Sequence, residues 1–428
     1  MARQLGLIAV FIPILFSGYA PASPRPWPDT TRGVHVFSDQ LAPWLSIEQV
    51  QFAATHYAGT QKVTRVEADR LRAINPRFLI LHYRLGHGLG YRETSGACQP
   101  SGPYLAIVDG DEWVREWPGE SVVQPSWFFP WAGQERVLNC DWGWYLMDVA
   151  NPGYRAYWQA EVLRQLRAND NDGVFLDSLS VPNYLGAGSY QPGLPAVDPA
   201  FEAAWARRIE GWLASLRTQP IGQYHLVPNV GYWTTTRDTT DYGAADGLMV
   251  EGFAIEADQS PFAYEDWQLQ MDRILAAVAR GQAIIGQTYV TGDQERLFAL
   301  GSYLLVKGNR AYLNIELGAG PEWWPGYDIP IGAPVDSAAR IADLYEPVAG
   351  LYRRDFDDGF VLVNPTNPWD GSGVTHTVSL GITYYLAEPH GGGAVPQSGT
   401  PTGSLTYRPV TSITLGPYSA AVLLESRP

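Results

Sequence analysis

The sequence is poor in several things that chemistry often needs. Two cysteines and seven histidines in 428 residues leave little material for metal sites, which require such ligands at regular spacing. His35, His56, His82 and His225 fall on or near expected strands but form no His-x-His or His-Glu-x-x-His pattern. A metal-dependent hydrolase is therefore a minor reading, and no cofactor is expected. A Gly-x-Ser-x-Gly nucleophile elbow, a lysine-bearing phosphate loop and a dinucleotide-binding glycine fingerprint are all missing. Basic residues are scarce: 29 Lys and Arg stand against 44 Asp and Glu, a net charge of -15. That balance disfavours nucleic acid and anionic membranes as partners. Beyond the N-terminus no apolar run is long enough to span a bilayer.

What is present begins with a leader pattern. Met1 to Gln4 carry one arginine and precede the apolar run Leu5 to Phe16, and an Ala-Pro-Ala step follows at Ala20 to Ala22. This predicts a signal peptide over residues 1–22 and a secreted or periplasmic protein, with an uncleaved membrane anchor as the alternative. In an oxidising compartment Cys98 and Cys140 fit one disulfide, two buried thiols being the other reading. Bonded, they tie together a long excursion between Gly86 and Asn139 and contribute roughly 3 to 5 kcal/mol. The 16 Trp and 24 Tyr offer flat apolar faces with a polar edge, suited to sugar rings and to a core alike.

The body of the chain reads as strand-then-helix units. Gly33 to Phe37, His56 to Gln61, Arg77 to Tyr83, Gly173 to Ser178, His225 to Tyr232, Gly247 to Phe253, Gln282 to Tyr289 and Ala311 to Glu316 are the strand candidates. The run Phe78 to Leu81 lacks alternation, as a parallel strand covered on both faces should. Helical stretches separate most of these strands, and Asn151 with Pro152 gives one of them a capped start. The expectation is an α/β protein, a (β/α)8 TIM barrel over residues 23–335. From about Asp336 the helical period gives way to short β runs between turn residues, which predicts a C-terminal antiparallel β domain, sandwich-like, over residues 336–428.

Two strands share a pattern, Asp172-Gly173-Val174-Phe175-Leu176-Asp177 and Asp246-Gly247-Leu248-Met249-Val250-Glu251. Each ends in a carboxylate after three apolar residues, and the mouth of a parallel barrel lies at that end of its strands. An ionised acid there must be solvated, paired or put to use. Two facing carboxyl groups can cleave a glycosidic bond, one protonating the leaving oxygen while the other attacks the anomeric carbon or activates water. The alternative is that each acid pairs with an arginine or caps a helix. By the same placement Asp39, Tyr83, Arg84, Asn229, Tyr232, Gln287, Tyr289, Asn314 and Glu316 reach the mouth and can bind sugar hydroxyls, packing roles being the alternative for each. Trp113, Trp117, Trp127, Trp131, Trp142, Trp144, Trp233, Trp323 and Trp324 include candidate stacking platforms, although any single one is better explained by packing.

The run Met147-Asp148-Val149-Ala150-Asn151-Pro152-Gly153-Tyr154, the strand ending in Asp177 and Ser178, the strand ending in Glu251, and Phe360-Val361-Leu362-Val363-Asn364-Pro365-Thr366 together carry a resemblance. The chain resembles a group of bacterial barrel proteins described as hypothetical glycosyl hydrolases, distantly similar to polygalactosaminidase and α-galactosidase barrels. The resemblance implies Asp177 as nucleophile, Glu251 as proton donor, retention of anomeric configuration, and a poly- or oligosaccharide partner. The reading from another class is a catalytically silent barrel that binds polysaccharide.

Overall fold

The structure is a computed structural model, and it describes residues 24–91, 98, 107–108, 115–116, 122–315, 318 and 320–428. The leader pattern, Trp113, Trp117 and Glu316 lie outside the described residues.

Eight parallel strands form the core of the molecule: β1 (Val36–Ser38), β2 (Tyr57–Gln61), β3 (Leu79–Leu85), β4 (Gly173–Asp177), β5 (His225–Pro228), β6 (Gly247–Glu251), β7 (Ala283–Gln287) and β8 (Ala311–Asn314). They run in the order β5-β4-β3-β2-β1-β8-β7-β6. The two outer strands meet, so the sheet closes: Asn229 bridges Met249 in parallel, and the Val230 N–H donates to the Met249 carbonyl at 2.9 Å. Six helices pack outside: α1 (Ile47–His56), α2 (Arg65–Ile74), α3 (Pro152–Asn169), α4 (Pro199–Arg217), α5 (Tyr264–Ala279) and α6 (Asp293–Val306). Local chemistry fixes where several begin. Ser46 and Gln49 form a reciprocal capping box at α1, and the Asn151 side chain accepts the Gly153 and Tyr154 N–H groups at the start of α3, with Pro152 in its first turn.

The strands explain their own lack of alternation. Phe37, Leu79, Leu81, Phe175, Val227, Met249, Ala283, Ile285 and Tyr312 fill the barrel, while Ile80, Val174, Leu176, Leu248 and Val250 face the helices, so both faces are apolar. The excursion after β3 carries a small antiparallel sheet of Gly88–Gly90, Leu138–Asn139 and Trp144–Leu146. Cys98 and Cys140 are bonded within it, their Cα atoms 4.8 Å apart.

A six-stranded antiparallel sheet follows the barrel, built from the short strand Tyr345–Glu346 and from β9 (Leu351–Phe356), β10 (Gly359–Asn364), β11 (His376–His390), β12 (Ser404–Leu415) and β13 (Ser419–Leu424). The strand β11 is long, and its register with β12 shifts between Ser379 and Tyr384. One face of the sheet meets α6 so closely that a Cβ on Gly301 would stand 2.5 Å from the Ala420 Cβ. The opposite face holds its own core of Leu351, Phe360, Leu362, Val410, Ile413, Leu415, Ala421 and Leu423.

The paired Asp-Gly steps serve the closed end of the barrel. Asp172 accepts the Ile80 N–H at 2.9 Å and the guanidinium groups of Arg72 at 2.7 Å and Arg25 at 3.0 Å. Asp246 accepts the Leu226 N–H at 2.7 Å and pairs with Arg217. Each acid thus fastens the start of a neighbouring strand. The glycine after Asp172 lets the strand on the other side, β5, come near, since a Cβ on Gly173 would lie 2.4 Å from the His225 carbonyl oxygen. Asp172 has 1% of its side chain exposed, so removing it takes a buried carboxylate partner from two guanidinium groups and from the Ile80 N–H. Asp172→Ala is expected to lower the stability of the folded chain by about 3 to 5 kcal/mol. Denaturant unfolding measures this, and Asp246→Ala, at a site with 32% of the acid exposed, should cost less.

Candidate active site

At the carboxyl ends of the strands the barrel interior changes character in one step. Two residues beyond each inward-facing Phe37, Leu81, Phe175, Val227, Met249, Ile285 and Tyr312 stands a polar residue: Asp39, Tyr83, Asp177, Asn229, Glu251, Gln287 and Asn314. A strand repeats its side-chain direction every two residues, so these seven share the inward face. Gln61, at the end of β2, completes the ring.

The acids are held by a continuous set of hydrogen bonds. Asn229 Nδ2 donates to Asp177 Oδ1 at 2.9 Å and to Glu251 Oε2 at 2.6 Å. These two carboxylate oxygens therefore lie no more than 5.5 Å apart, the sum of the two contacts. The amide can point only this way, because its Oδ1 accepts the Gly231 N–H at 3.0 Å. Asp177 also accepts the Tyr83 hydroxyl at 2.6 Å and the Ser178 N–H at 2.8 Å. Glu251 also accepts the Tyr289 hydroxyl at 3.0 Å. On the β1–β2 side, Asp39 accepts Gln61 Nε2 at 2.5 Å and Lys62 Nζ at 2.9 Å. Asn314 Nδ2 donates to Gln287 Oε1 at 2.7 Å.

Burial and the adjacent Asp177 charge, in that order, hold the Glu251 carboxyl above the usual glutamate range. Asp177 accepts three hydrogen bonds on its two oxygens. Burial first, then the neighbouring carboxylates, keep Tyr83 and Tyr289 protonated as donors. The two acids thus sit in different environments, Glu251 with two side-chain donors and a raised pKa and Asp177 with three donors.

The remaining candidates lie elsewhere. Arg84 faces outward from β3 toward α3, buried beside Tyr154, Tyr157 and Glu161. Tyr232 braces the loop after β6: its ring occupies the space a Cβ on Gly252 would need, 2.2 Å from Cδ1, and its hydroxyl accepts the Ala257 N–H at 3.1 Å. Trp127, Trp144, Trp233, Trp323 and Trp324 are buried, Trp131 packs on Phe201, and Trp142 is exposed. Gln61 and Lys62 are members of the site that the sequence did not single out. The signal available was the offset shared by the other strand ends, hidden because Tyr57-Ala58-Gly59-Thr60-Gln61 is a weak strand by composition. Among the described residues no group of three or more His, Cys, Asp and Glu side chains is placed to hold a metal ion. Nor is any described helix long and apolar enough to cross a membrane.

Because the folded-state pKa of Glu251 lies above its unfolded value, its contribution to stability is complete below about pH 4.3 and is lost as pH rises through the folded value. Glu251→Gln removes that loss. The variant should match the parent in thermal midpoint at low pH and exceed it increasingly toward neutral pH; a gap that narrows with rising pH would contradict the burial argument.

The family described as "Hypothetical glycosyl hydrolase family 15" matches residues 72–360. No curated protein matches the chain. Solved structures similar to it include a maltogenic α-amylase of Thermotoga neapolitana, 10% identical over 91% of this chain and 98% of that one, with a TM-score of 0.39. The debranching enzyme of Nostoc punctiforme is 10% identical over 93% of this chain and 99% of that one, TM-score 0.39. The cycloalternan-degrading enzyme of Trueperella pyogenes is 11% identical over 94% of this chain and 64% of that one, TM-score 0.39.

Proposed function

We propose that this chain, which belongs to hypothetical glycosyl hydrolase family 15, cleaves O-glycosidic bonds of a poly- or oligosaccharide outside the cytoplasm by a retaining, double-displacement mechanism. The observation that carries the reading is the spacing of the acids. Retaining enzymes place their carboxyl groups about 5 to 5.5 Å apart, whereas inverting ones need about 6.5 to 9.5 Å to admit water. The single Asn229 amide touching both acids keeps an oxygen of each within 5.5 Å of the other, which supports the shorter spacing.

In the first step an Asp177 oxygen attacks the anomeric carbon while the bond to the leaving oxygen breaks, and Glu251 gives that oxygen its proton. A covalent glycosyl ester on Asp177 results. Glu251, now a carboxylate, takes a proton from water as the water oxygen attacks the same carbon, which releases Asp177 and restores the acid. Tyr83, Ser178 and Asn229 hold the nucleophile in one orientation, and Tyr289 and Asn229 hold the acid. Secretion is supported by the leader pattern and by the Cys98–Cys140 bond, since structural disulfides persist in oxidising compartments.

The test is a kinetic comparison on a panel of aryl and unactivated glycosides. Asp177→Asn should remove nearly all turnover with every leaving group. Glu251→Gln should cost about 100- to 10,000-fold with a poor leaving group and little with a good one, which hardly needs the proton. The rate of the parent should fall as pH rises through the raised Glu251 pKa. Wild-type activity in both variants would place the chemistry elsewhere, and saccharide binding without turnover in the parent would make the barrel a binding protein.

A further inference from the structure

Lys62 is one of two lysines in the chain, and it occupies a costly position. It directly follows β2 with its backbone at φ 60°, in the left-handed region that side-chain-bearing residues avoid and that functional sites tolerate. Its Nζ donates to Asp39 Oδ2 at 2.9 Å and lies 5.1 Å from the centre of the Tyr83 ring, whose hydroxyl holds Asp177. Beside it Gln61 is fully buried, with Nε2 on Asp39 Oδ1 at 2.5 Å and Oε1 lacking any protein partner. A buried acceptor left unpaired is unfavourable. An ammonium carries three protons and a carboxylate accepts about four hydrogen bonds, so Lys62 and Asp39 retain capacity as well.

The order of the strands fixes where this cluster stands. Counting either way around the barrel, β2 is four strands from β6, so Lys62 and Gln61 lie across the mouth from Glu251, and Tyr83 and Asp177 occupy the wall between. A sugar placed with its anomeric carbon at Asp177 and its leaving oxygen at Glu251 extends its far edge toward β1 and β2. On a hexopyranose that edge carries the C3 and C4 hydroxyls.

We propose that Asp39, Gln61 and Lys62 form a clamp for two adjacent hydroxyls on the far edge of the sugar whose anomeric carbon Asp177 attacks. The chemistry is complementary. Each hydroxyl both donates and accepts, so a neighbouring pair can accept from the ammonium and donate to the carboxylate and to Gln61 Oε1. A site built this way rejects a sugar lacking one of those hydroxyls, because its own buried polar groups are then left unpaired. The clamp would thus select an uncharged vicinal diol, and Lys62 is its specificity-determining residue. The inference rests on the glycosidase reading given above.

The experiment takes the member of a panel of 4-nitrophenyl hexopyranosides that the parent hydrolyses, together with its 2-, 3- and 4-deoxy analogues. For the parent, the 3- and 4-deoxy compounds should lose about 10- to 100-fold in kcat/KM. Lys62→Met should lose a similar factor on the complete sugar yet only about two- to threefold further on the 3- or 4-deoxy compound, because the clamp has already been broken. Gln61→Leu should show the same non-additive pattern, and it reads the clamp independently if Lys62→Met fails to fold. Equal losses for Lys62→Met on every analogue, accompanied by a shift of the alkaline limb to higher pH, would reduce Lys62 to a charge acting on Glu251 and overturn the clamp. Hydrolysis by the parent with no penalty for the 3- or 4-deoxy sugars would overturn it too while leaving Asp177 and Glu251 in place. A panel with no turnover at all counts against the glycosidase reading, and the clamp falls with it.

Discussion

Two carboxyl groups with oxygens no more than 5.5 Å apart repel each other strongly when both are charged, and the arrangement around them follows from managing that repulsion. One amide, Asn229 Nδ2, touches both acids. Asp177 gathers a hydroxyl and a backbone N–H besides, whereas Glu251 has one further donor and a raised pKa. The asymmetry suits the proposed division of labour between nucleophile and acid.

The barrel supplies the precision. A closed parallel sheet brings eight strand ends to one mouth, and here an apolar layer of Phe37, Leu81, Phe175, Val227, Met249, Ile285 and Tyr312 lies directly beneath the polar one. The low polarity below raises the Glu251 pKa, and the rigid strands hold Asn229 where it can reach both acids. At the opposite end Asp172 and Asp246 fasten neighbouring strands. The chain therefore carries carboxylates at both ends of the same two strands, those at the start for closure and those at the end for the proposed chemistry.

That double use explains what could be read from the sequence and what could not. The period of two made Asp177, Glu251, Asn229, Gln287, Asn314, Tyr83 and Asp39 legible, since each follows an apolar strand at the same offset. The matching Asp-Gly starts looked like part of the same signal but belong to barrel closure. Arg84 adjoins Tyr83 in sequence and therefore points to the other face, where it packs beside α3. Gln61 and Lys62 stayed hidden because β2 contains glycine and threonine where the other strands carry large apolar residues, and because no local pattern announces a left-handed lysine. The tryptophans divide as packing economics suggests: most of those described are buried, and composition alone could not pick out the exposed Trp142.

The central claim is that Asp177 becomes covalently bonded to the sugar. A 2-deoxy-2-fluoro glycosyl fluoride of the accepted sugar slows release of such an intermediate more than its formation, so the protein can be quenched, digested and analysed by mass spectrometry. One added fluoroglycosyl group is expected on the peptide containing Asp177, absent in Asp177→Asn. A label on any other residue, or an unlabelled enzyme whose first product has inverted anomeric configuration, would contradict it.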